Sequence, residues 1–307
     1  MPAEGLDWIP SSTILTDDEI VRLVGIAVVR LGVRKVRFTG GEPLLRPRLV
    51  DLIRRCAQIS ADDGGPAELS LTTNGLRLAP VAQALADAGL ARVNVSLDSL
   101  DPGRYRALTR RGDLDQVLGG LDAAAAAGLG PVKVNTVAMR GQNDVDIVPL
   151  AEFCLARGYQ LRFIEHMPLG PRHTWDLSAV LSAEEILERL GERFTLTPVP
   201  RSDAAPAELW QVSATGDLPA GRIGIIASVT TPFCKSCDRT RLTADGQIMN
   251  CLFSQVETDL LGPLRAGADD DAIVDLWVGA HRDKLYGHRI GESDFTPPER
   301  TMGAIGG

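Results

Sequence analysis

Nowhere does this 307-residue chain hold the roughly 20 consecutive apolar residues that a helix needs to cross a bilayer. Its amino terminus carries no basic segment followed by an apolar run and a cleavage site, so a cytoplasmic protein is expected. Positive charge is in deficit, with 32 Lys and Arg against 40 Asp and Glu, a formal net charge of −8 and a pI near 5.1. That balance argues against nucleic acid or a membrane surface as partner, because both reward a broad cationic face. Any anionic ligand must therefore meet a local basic pocket. Paired histidines and carboxylates at ligand spacing are missing, which removes the support a zinc-dependent βα-barrel hydrolase would need. Cysteine is scarce and odd in number: of five, Cys234, Cys237 and Cys251 crowd together, and in a reducing compartment that grouping points to metal rather than to disulfides. Cys56 and Cys154 sit inside amphipathic helical patterns and read as core residues.

What the chain does have is enough apolar content, 44%, to bury a large core. Thr16 followed by Glu19 predicts a capping box, and apolar positions recur at helical spacing from Ile20 to Leu31. Strands are then predicted near 35–39, 68–72, 92–97, 132–138 and 160–165, with helices near 47–59, 79–88, 114–128 and 145–157 between them. This is the rhythm of βα units building a parallel sheet, open or curled into a barrel. After about residue 190 prolines break the rhythm and short β-like runs surround the cysteines, ahead of a last helix near 269–285. The expected division is a barrel-type domain over 1–190 and a smaller region over 191–307.

Strands covered by helices on both faces read as continuous apolar runs, and these do not. One face carries Val36, Phe38, Leu69, Leu71, Val93, Val95, Leu97, Val132, Val134, Leu161 and Phe163. The other, at period 2, carries Arg37, Thr39, Ser70, Thr72, Asn94, Ser96, Asp98, Lys133, Asn135 and Arg162. If helices cover the apolar face, the polar face lines a lumen in which Arg37, Lys133 and Arg162 call for a polyanionic ligand. A sheet face washed by solvent is the plainer alternative.

Three further motifs carry chemistry. Thr39-Gly40-Gly41-Glu42-Pro43 ends a strand with two residues that let backbone approach a ligand, at the mouth of a βα barrel. Cys234-Lys-Ser-Cys237 with Cys251 suits a [4Fe–4S] cluster with one iron left open; a structural zinc would want a fourth ligand that is not evident. Asp238-Arg239-Thr240-Arg241 sets two guanidinium forks beside that group, matched to phosphate oxygens.

Together with Leu71-Thr-Thr-Asn-Gly75, Asn94-Val-Ser-Leu-Asp98, Val132-Lys-Val-Asn135, Arg162-Phe-Ile-Glu-His-Met167 and the terminal Gly306-Gly307, these motifs make the chain resemble the GTP 3′,8-cyclase family of radical S-adenosylmethionine (SAM) enzymes from end to end. The resemblance implies an α/β fold, a partial TIM-like (βα) barrel of the radical SAM type, closed by a smaller C-terminal region with a second [4Fe–4S] cluster on Cys234, Cys237 and Cys251. It implies that Gly41, Ser96 and Met167 contact SAM, that Arg37, Thr72, Lys133, Arg239, Thr240 and Arg241 hold GTP, and that the Gly-Gly tail reaches the active site. The implied reaction converts GTP to 3′,8-cyclo-7,8-dihydro-GTP with release of 5′-deoxyadenosine and methionine, the first step of molybdenum cofactor biosynthesis. A flavodoxin- or ferredoxin-type electron donor, cyclic pyranopterin monophosphate synthase as the next enzyme, and a monomer or homodimer go with it.

In the family a first cluster sits on a C-x3-C-x2-C run whose last cysteine precedes the Met-Pro that here is Met1-Pro2. The 307 residues contain no such run, nor the first barrel strand expected before residue 1. A start codon placed too late is the expectation. Taken literally, the polypeptide would be a cluster-stabilised GTP-binding module that cannot make the cyclised product.

Overall fold

The computed structural model describes residues 9–61, 64–110, 112–170, 175–201 and 204–282, and beyond these Lys284, Gly287, Ile290, Glu292, 295–298, Arg300 and Met302. Met1, Pro2, Gly306 and Gly307 lie outside the described residues.

The predicted capping box opens α1 (Asp17–Gly25): the Thr16 hydroxyl accepts from the Glu19 N–H at 3.2 Å and the Thr16 N–H donates to Glu19 Oε2 at 2.7 Å. The helix runs on through a wider turn, Ile26–Arg30, and five βα units follow. Their strands are β1 (Lys35–Phe38), β2 (Glu68–Thr73), β3 (Arg92–Ser96), β4 (Lys133–Ala138) and β5 (Gln160–Glu165). The helices are α2 (Leu49–Ala57), α3 (Ala82–Asp87), α4 (Pro102–Thr109), α5 (Leu114–Ala126), α6 (Ile147–Ala156) and, after β5, α7 (Ala183–Gly191). All five strands predicted from the pattern are present and pair in parallel.

The sheet does not end with them. A hairpin of β6 (Leu196–Pro198) and β7 (Glu208–Val212) leads to β8 (Gly221–Ile226), which pairs in parallel with β5, giving the order β1-β2-β3-β4-β5-β8-β7-β6. β8 is thus a sixth parallel strand. The rhythm is hidden after 190 because the hairpin is inserted into the crossover between β5 and β8, lengthening one interval. The same sheet passes through the division expected at that point.

Helices cover the apolar strand face. Leu71, Val93, Val95, Leu97, Val134, Leu161 and Phe163 are fully buried against Ile53, Leu85, Val117, Leu121 and Leu150. The smaller part consists of β9 (Arg241–Leu242), β10 (Gln247–Met249), β11 (Thr258–Asp259), α8 (Leu261–Arg265) and α9 (Asp270–Arg282), and it has a core of its own. That second core includes Leu23, Ile26 and Ala27, whereas Val24 and Val28 of the same helical run belong to the main core. The first helix therefore joins the two parts.

Adjacent glycines in α5 illustrate how closely helix and strand end approach. A Cβ on Gly120 would stand 2.7 Å from the Gly75 carbonyl oxygen, and Gly75 itself adopts φ +81° with Val95 and Val117 against it. A Cβ on Gly119 meets nothing within 4 Å. Gly120→Ala is expected to lower unfolding free energy by about 1–3 kcal/mol, and Gly119→Ala to raise it by about 0.5–1 kcal/mol. Urea denaturation of both variants checks the opposite signs.

Candidate functional site

Strand register turns the period-2 pattern into rows across the polar face. Arg37 pairs with Ser70 and Ser70 with Arg92; Thr72 pairs with Asn94 and Asn94 with Lys133; Ser96 pairs with Asn135, Asn135 with Arg162 and Arg162 with Gly224. Adjacent strands lie about 4.8 Å apart, so β1 and β5 would stand about 19 Å apart in a flat sheet. Arg37 nevertheless lies close enough to push the Arg162 guanidinium down, and close enough to Arg239 and Arg241 to share its field with both. The sheet is therefore curled around its polar face. Arg37 keeps contact with solvent while protein surrounds it, the condition of a side chain in a water-filled lumen.

Arg162 is 5% exposed and anchors this lumen. Its Nε donates to Asn135 Oδ1 at 2.8 Å and its NH2 to Asn94 Oδ1 at 2.9 Å, while Asn94 Nδ2 donates to the Thr72 hydroxyl at 3.1 Å. A Cβ on Gly224 would come within 3.1 Å of the Arg162 side chain, so the glycine in that row makes room for it. Both acceptors are neutral amides, which occupy two of the five guanidinium hydrogens and bring no negative charge of their own. Burial first, then Arg37 and Arg92, push Arg162 down to about 9. Burial, then Arg162, Arg92, Arg37 and Lys35, push Lys133 down to about 8. Arg241 falls to about 10, through burial and then Arg239 and Arg37, with the Cys251 and Cys237 thiols opposing. Arg92 was missed in the sequence although it stands two residues before Asn94 on the same face; it also pairs with Glu68.

The mouth lies at the carboxyl ends of the strands. Gly40, at φ +141°, and Gly41 follow β1, Ser96 ends β3, and Met167 follows β5. Glu42 ties two of these ends together: Oε1 accepts from the Leu44 N–H (3.0 Å) and the Thr73 hydroxyl (2.7 Å), and Oε2 accepts from the Asn74 N–H (2.8 Å). Beside Ser96, burial raises the Asp98 carboxyl to about 6, against a hydrogen bond from the Val137 N–H at 2.9 Å.

The cysteines border the lumen. Cys234 opens a single turn closed by the Cys237 N–H on its carbonyl at 3.2 Å, and Cys251 follows β10. Arg239 Nε lies 3.3 Å and Lys284 Nζ 3.6 Å from Cys237 Sγ, and the Phe253 N–H lies 3.4 Å from Cys251 Sγ. Burial pushes the Cys237 thiol up, but the Arg239 backbone and side chain and the Lys284 ammonium outweigh it and hold the thiol below its ordinary value. Such donors favour a thiolate, the form that binds metal. Among the described residues no three His, Cys, Asp or Glu side chains come within common reach of one ion. Three cysteines with N–H donors on two of their sulfurs are the donor chemistry of an iron–sulfur cluster. Arg239 stacks on the Phe233 ring at 4.8 Å. Thr240 points the other way, its hydroxyl accepting from Trp277 Nε1 at 3.0 Å, so of the run 239–241 the two arginines share the lumen field.

No helix among the described residues is long and apolar enough to cross a membrane. The chain matches the model of the Radical SAM superfamily over residues 7–154 and that of Molybdenum Cofactor Synthesis C over 159–290. It is 56% identical over 310 residues to a GTP 3′,8-cyclase of Corynebacterium glutamicum, covering 100% of this chain and 82% of the relative. To a GTP 3′,8-cyclase of Mycobacterium marinum it is 53% identical over 308 residues, covering 100% of this chain and 84% of that one. Among solved structures, SuiB of Streptococcus suis shares the fold with a TM-score of 0.56 at 15% identity, over 89% of this chain and 61% of that one. With more than half its residues identical over its whole length to such relatives, a cationic lumen and a strand-end Gly-Gly-Glu loop, this chain belongs to the GTP 3′,8-cyclase family of radical SAM enzymes.

Proposed function

We propose that the lumen binds GTP with its triphosphate among Arg37, Lys133, Arg239 and Arg241, with Thr72 adding a hydroxyl contact, and that Gly41, Ser96 and Met167 hold SAM at the mouth. The reaction is the conversion of GTP to (8S)-3′,8-cyclo-7,8-dihydroguanosine 5′-triphosphate, which opens molybdenum cofactor biosynthesis. The observation that carries the reading is the crowding of Arg37, Lys133, Arg162 and Arg241, each pushed below its ordinary pKa by burial and by one another. Such mutual repulsion is relieved by a polyanion of the right length and by little else.

Cys234, Cys237 and Cys251 are proposed to hold a [4Fe–4S] cluster. The bound clusters of this enzyme class supply the electron that cleaves SAM and an iron without a thiolate for the purine. The remaining work falls to the chain. About four residues separate the Arg92 row from Ser96 along β3, roughly 13 Å of lumen at about 3.3 Å per residue. A nucleotide laid along the strands can thus reach the cationic floor with its phosphates while its ribose approaches SAM at the mouth. Bound GTP and SAM together would displace water from the space between, as radical chemistry on a ribose hydrogen requires. A flavodoxin- or ferredoxin-type donor and cyclic pyranopterin monophosphate synthase fit as upstream and downstream partners.

Three results test this reading. The gene product, reduced anaerobically with SAM and GTP, is expected to yield 5′-deoxyadenosine and the cyclised nucleotide in equal amounts; their absence would sink the assignment. Anaerobically purified protein is expected to carry iron and acid-labile sulfide, lost in Cys251→Ala, and zinc in their place would overturn the cluster. GTP binding favours the Lys133 ammonium, so affinity is expected to fall as pH rises through about 8, with proton uptake on binding near pH 8 to 9. Lys133→Met is expected to flatten that pH dependence and to weaken GTP binding about tenfold at pH 7; calorimetry in buffers of different ionisation enthalpy reads both.

A further inference from the structure

The carboxylate of Glu165, the last residue of β5, is fully buried and gathers donors from two distant segments. Oε1 accepts from the Ala183 N–H at 2.9 Å and the Thr230 hydroxyl at 2.5 Å; Oε2 accepts from the Val229 N–H at 2.7 Å and the Thr230 N–H at 2.8 Å. The Glu165 carbonyl accepts from the Ser228 hydroxyl at 3.3 Å. Ala183 is the first residue of α7, so one donor is a helix-start N–H aligned with the helix dipole. Val229 and Thr230 are successive backbone donors, the arrangement that makes a local anion cradle.

The position of this carboxylate gives it a role that none of the proposed GTP, SAM or cluster ligands fills. Met167 stands two residues beyond it, at the SAM side of the mouth, and Cys234 stands four residues beyond Thr230, in the loop that leaves β8. A fully buried carboxyl group is costly unless its oxygens are hydrogen-bonded, and three of the four donors here come from Val229 and Thr230, so the segment 228–230 is held to one position relative to the end of β5. Packing alone would fix that loop less sharply. From these contacts we infer that Glu165 is a positioning residue: it sets the cysteine-bearing loop at a fixed distance from the SAM side of the lumen, and so determines how GTP, held from the cysteine and arginine side, is presented at the mouth. This rests on the reading of Cys234, Cys237 and Cys251 as cluster ligands.

The test uses the full chain reconstituted anaerobically with iron and sulfide, as wild type, Glu165→Gln and Thr230→Val. The Gln side chain keeps the volume but turns an N–H toward at least one backbone N–H, whichever way the amide faces. Expected for Glu165→Gln are wild-type iron content, loss of hydrogen-exchange protection at Val229 and Thr230 with β1 to β4 unchanged, GTP affinity at least tenfold weaker, and loss of the change that GTP produces in the electron paramagnetic resonance spectrum of the reduced cluster. Thr230→Val, which removes one of the four donors, is expected to weaken GTP binding by about two- to fivefold; it also decides the matter if Glu165→Gln does not fold. Wild-type GTP affinity and an unaltered spectral response in a folded Glu165→Gln, or in Thr230→Val alone, would reduce Glu165 to a staple of the fold and overturn the inference. Wild-type protein that takes up no iron would instead overturn the cluster reading, which the iron measurement on wild type reports separately from either variant.

Discussion

Like charges held together inside a curled sheet are the constraint on which the rest of this molecule depends. Arg37, Arg92, Lys133, Arg162 and Arg241 crowd one lumen with Arg239 beside them, and burial of those five favours their neutral forms. A buried unpaired cation costs several kcal/mol, and the hydrogen bonds that Arg162 donates to Asn94 and Asn135 offset only part of that. What outweighs it is the opposite face of the same strands. Fully buried Leu71, Val93, Val95, Leu97, Val134, Leu161 and Phe163 contribute about 1.5–3 kcal/mol each when removed from water. The strands thus hold an unfavourable face in place by the strength of their favourable one, and a bound polyanion recovers the difference.

Strand ends are fixed by carboxylates that collect backbone donors. Glu42 does so after β1, accepting from Leu44, Thr73 and Asn74, and Glu165 does so at the end of β5, accepting from Ala183, Val229 and Thr230. Each carboxylate ties its own strand end to a neighbouring loop, so the mouth is a rim of cross-linked loops rather than independent ones. Ligand contacts on such a rim hold their spacing when empty, which limits the ordering entropy that binding must overcome.

The small C-terminal part completes the lumen from the side of the cysteines. It is anchored at its own core to Leu23, Ile26 and Ala27, and at its surface by Arg22 to Asp270 and by Arg265 to Glu19. Arg300 is gripped by both Asp245 and Glu257 through four charge-assisted hydrogen bonds, and the Met302 N–H donates to the Leu169 carbonyl at 3.0 Å. The last described residues therefore lie across β9–β11 and back to the loop beyond Met167. An arginine held by two carboxylates is a firm tether, in contrast to Arg162, whose hydrogen bonds go to the side-chain amides of Asn94 and Asn135.

The alternation of side chains along the strands determined, from sequence alone, that one face is apolar and the other cationic, because period 2 is a property of the extended backbone. The capping box, the five parallel strands and the clustering of Cys234, Cys237 and Cys251 near Arg239 and Arg241 were legible for the same reason: each depends on residues close in sequence. Tertiary structure alone decided what depends on distance. β8 joins the sheet across an inserted hairpin that hides the βα interval, and Arg92 enters the lumen only once register sets it beside Ser70. Thr240 turns toward α9 because Trp277 offers its indole N–H, and Glu165, one letter in the run from Arg162 to Met167, becomes a junction only when the loop at 228–230 closes on it. Local pattern specifies which face a residue takes; the curl of the sheet, a sum over all strands and crossovers, specifies which residues on that face meet.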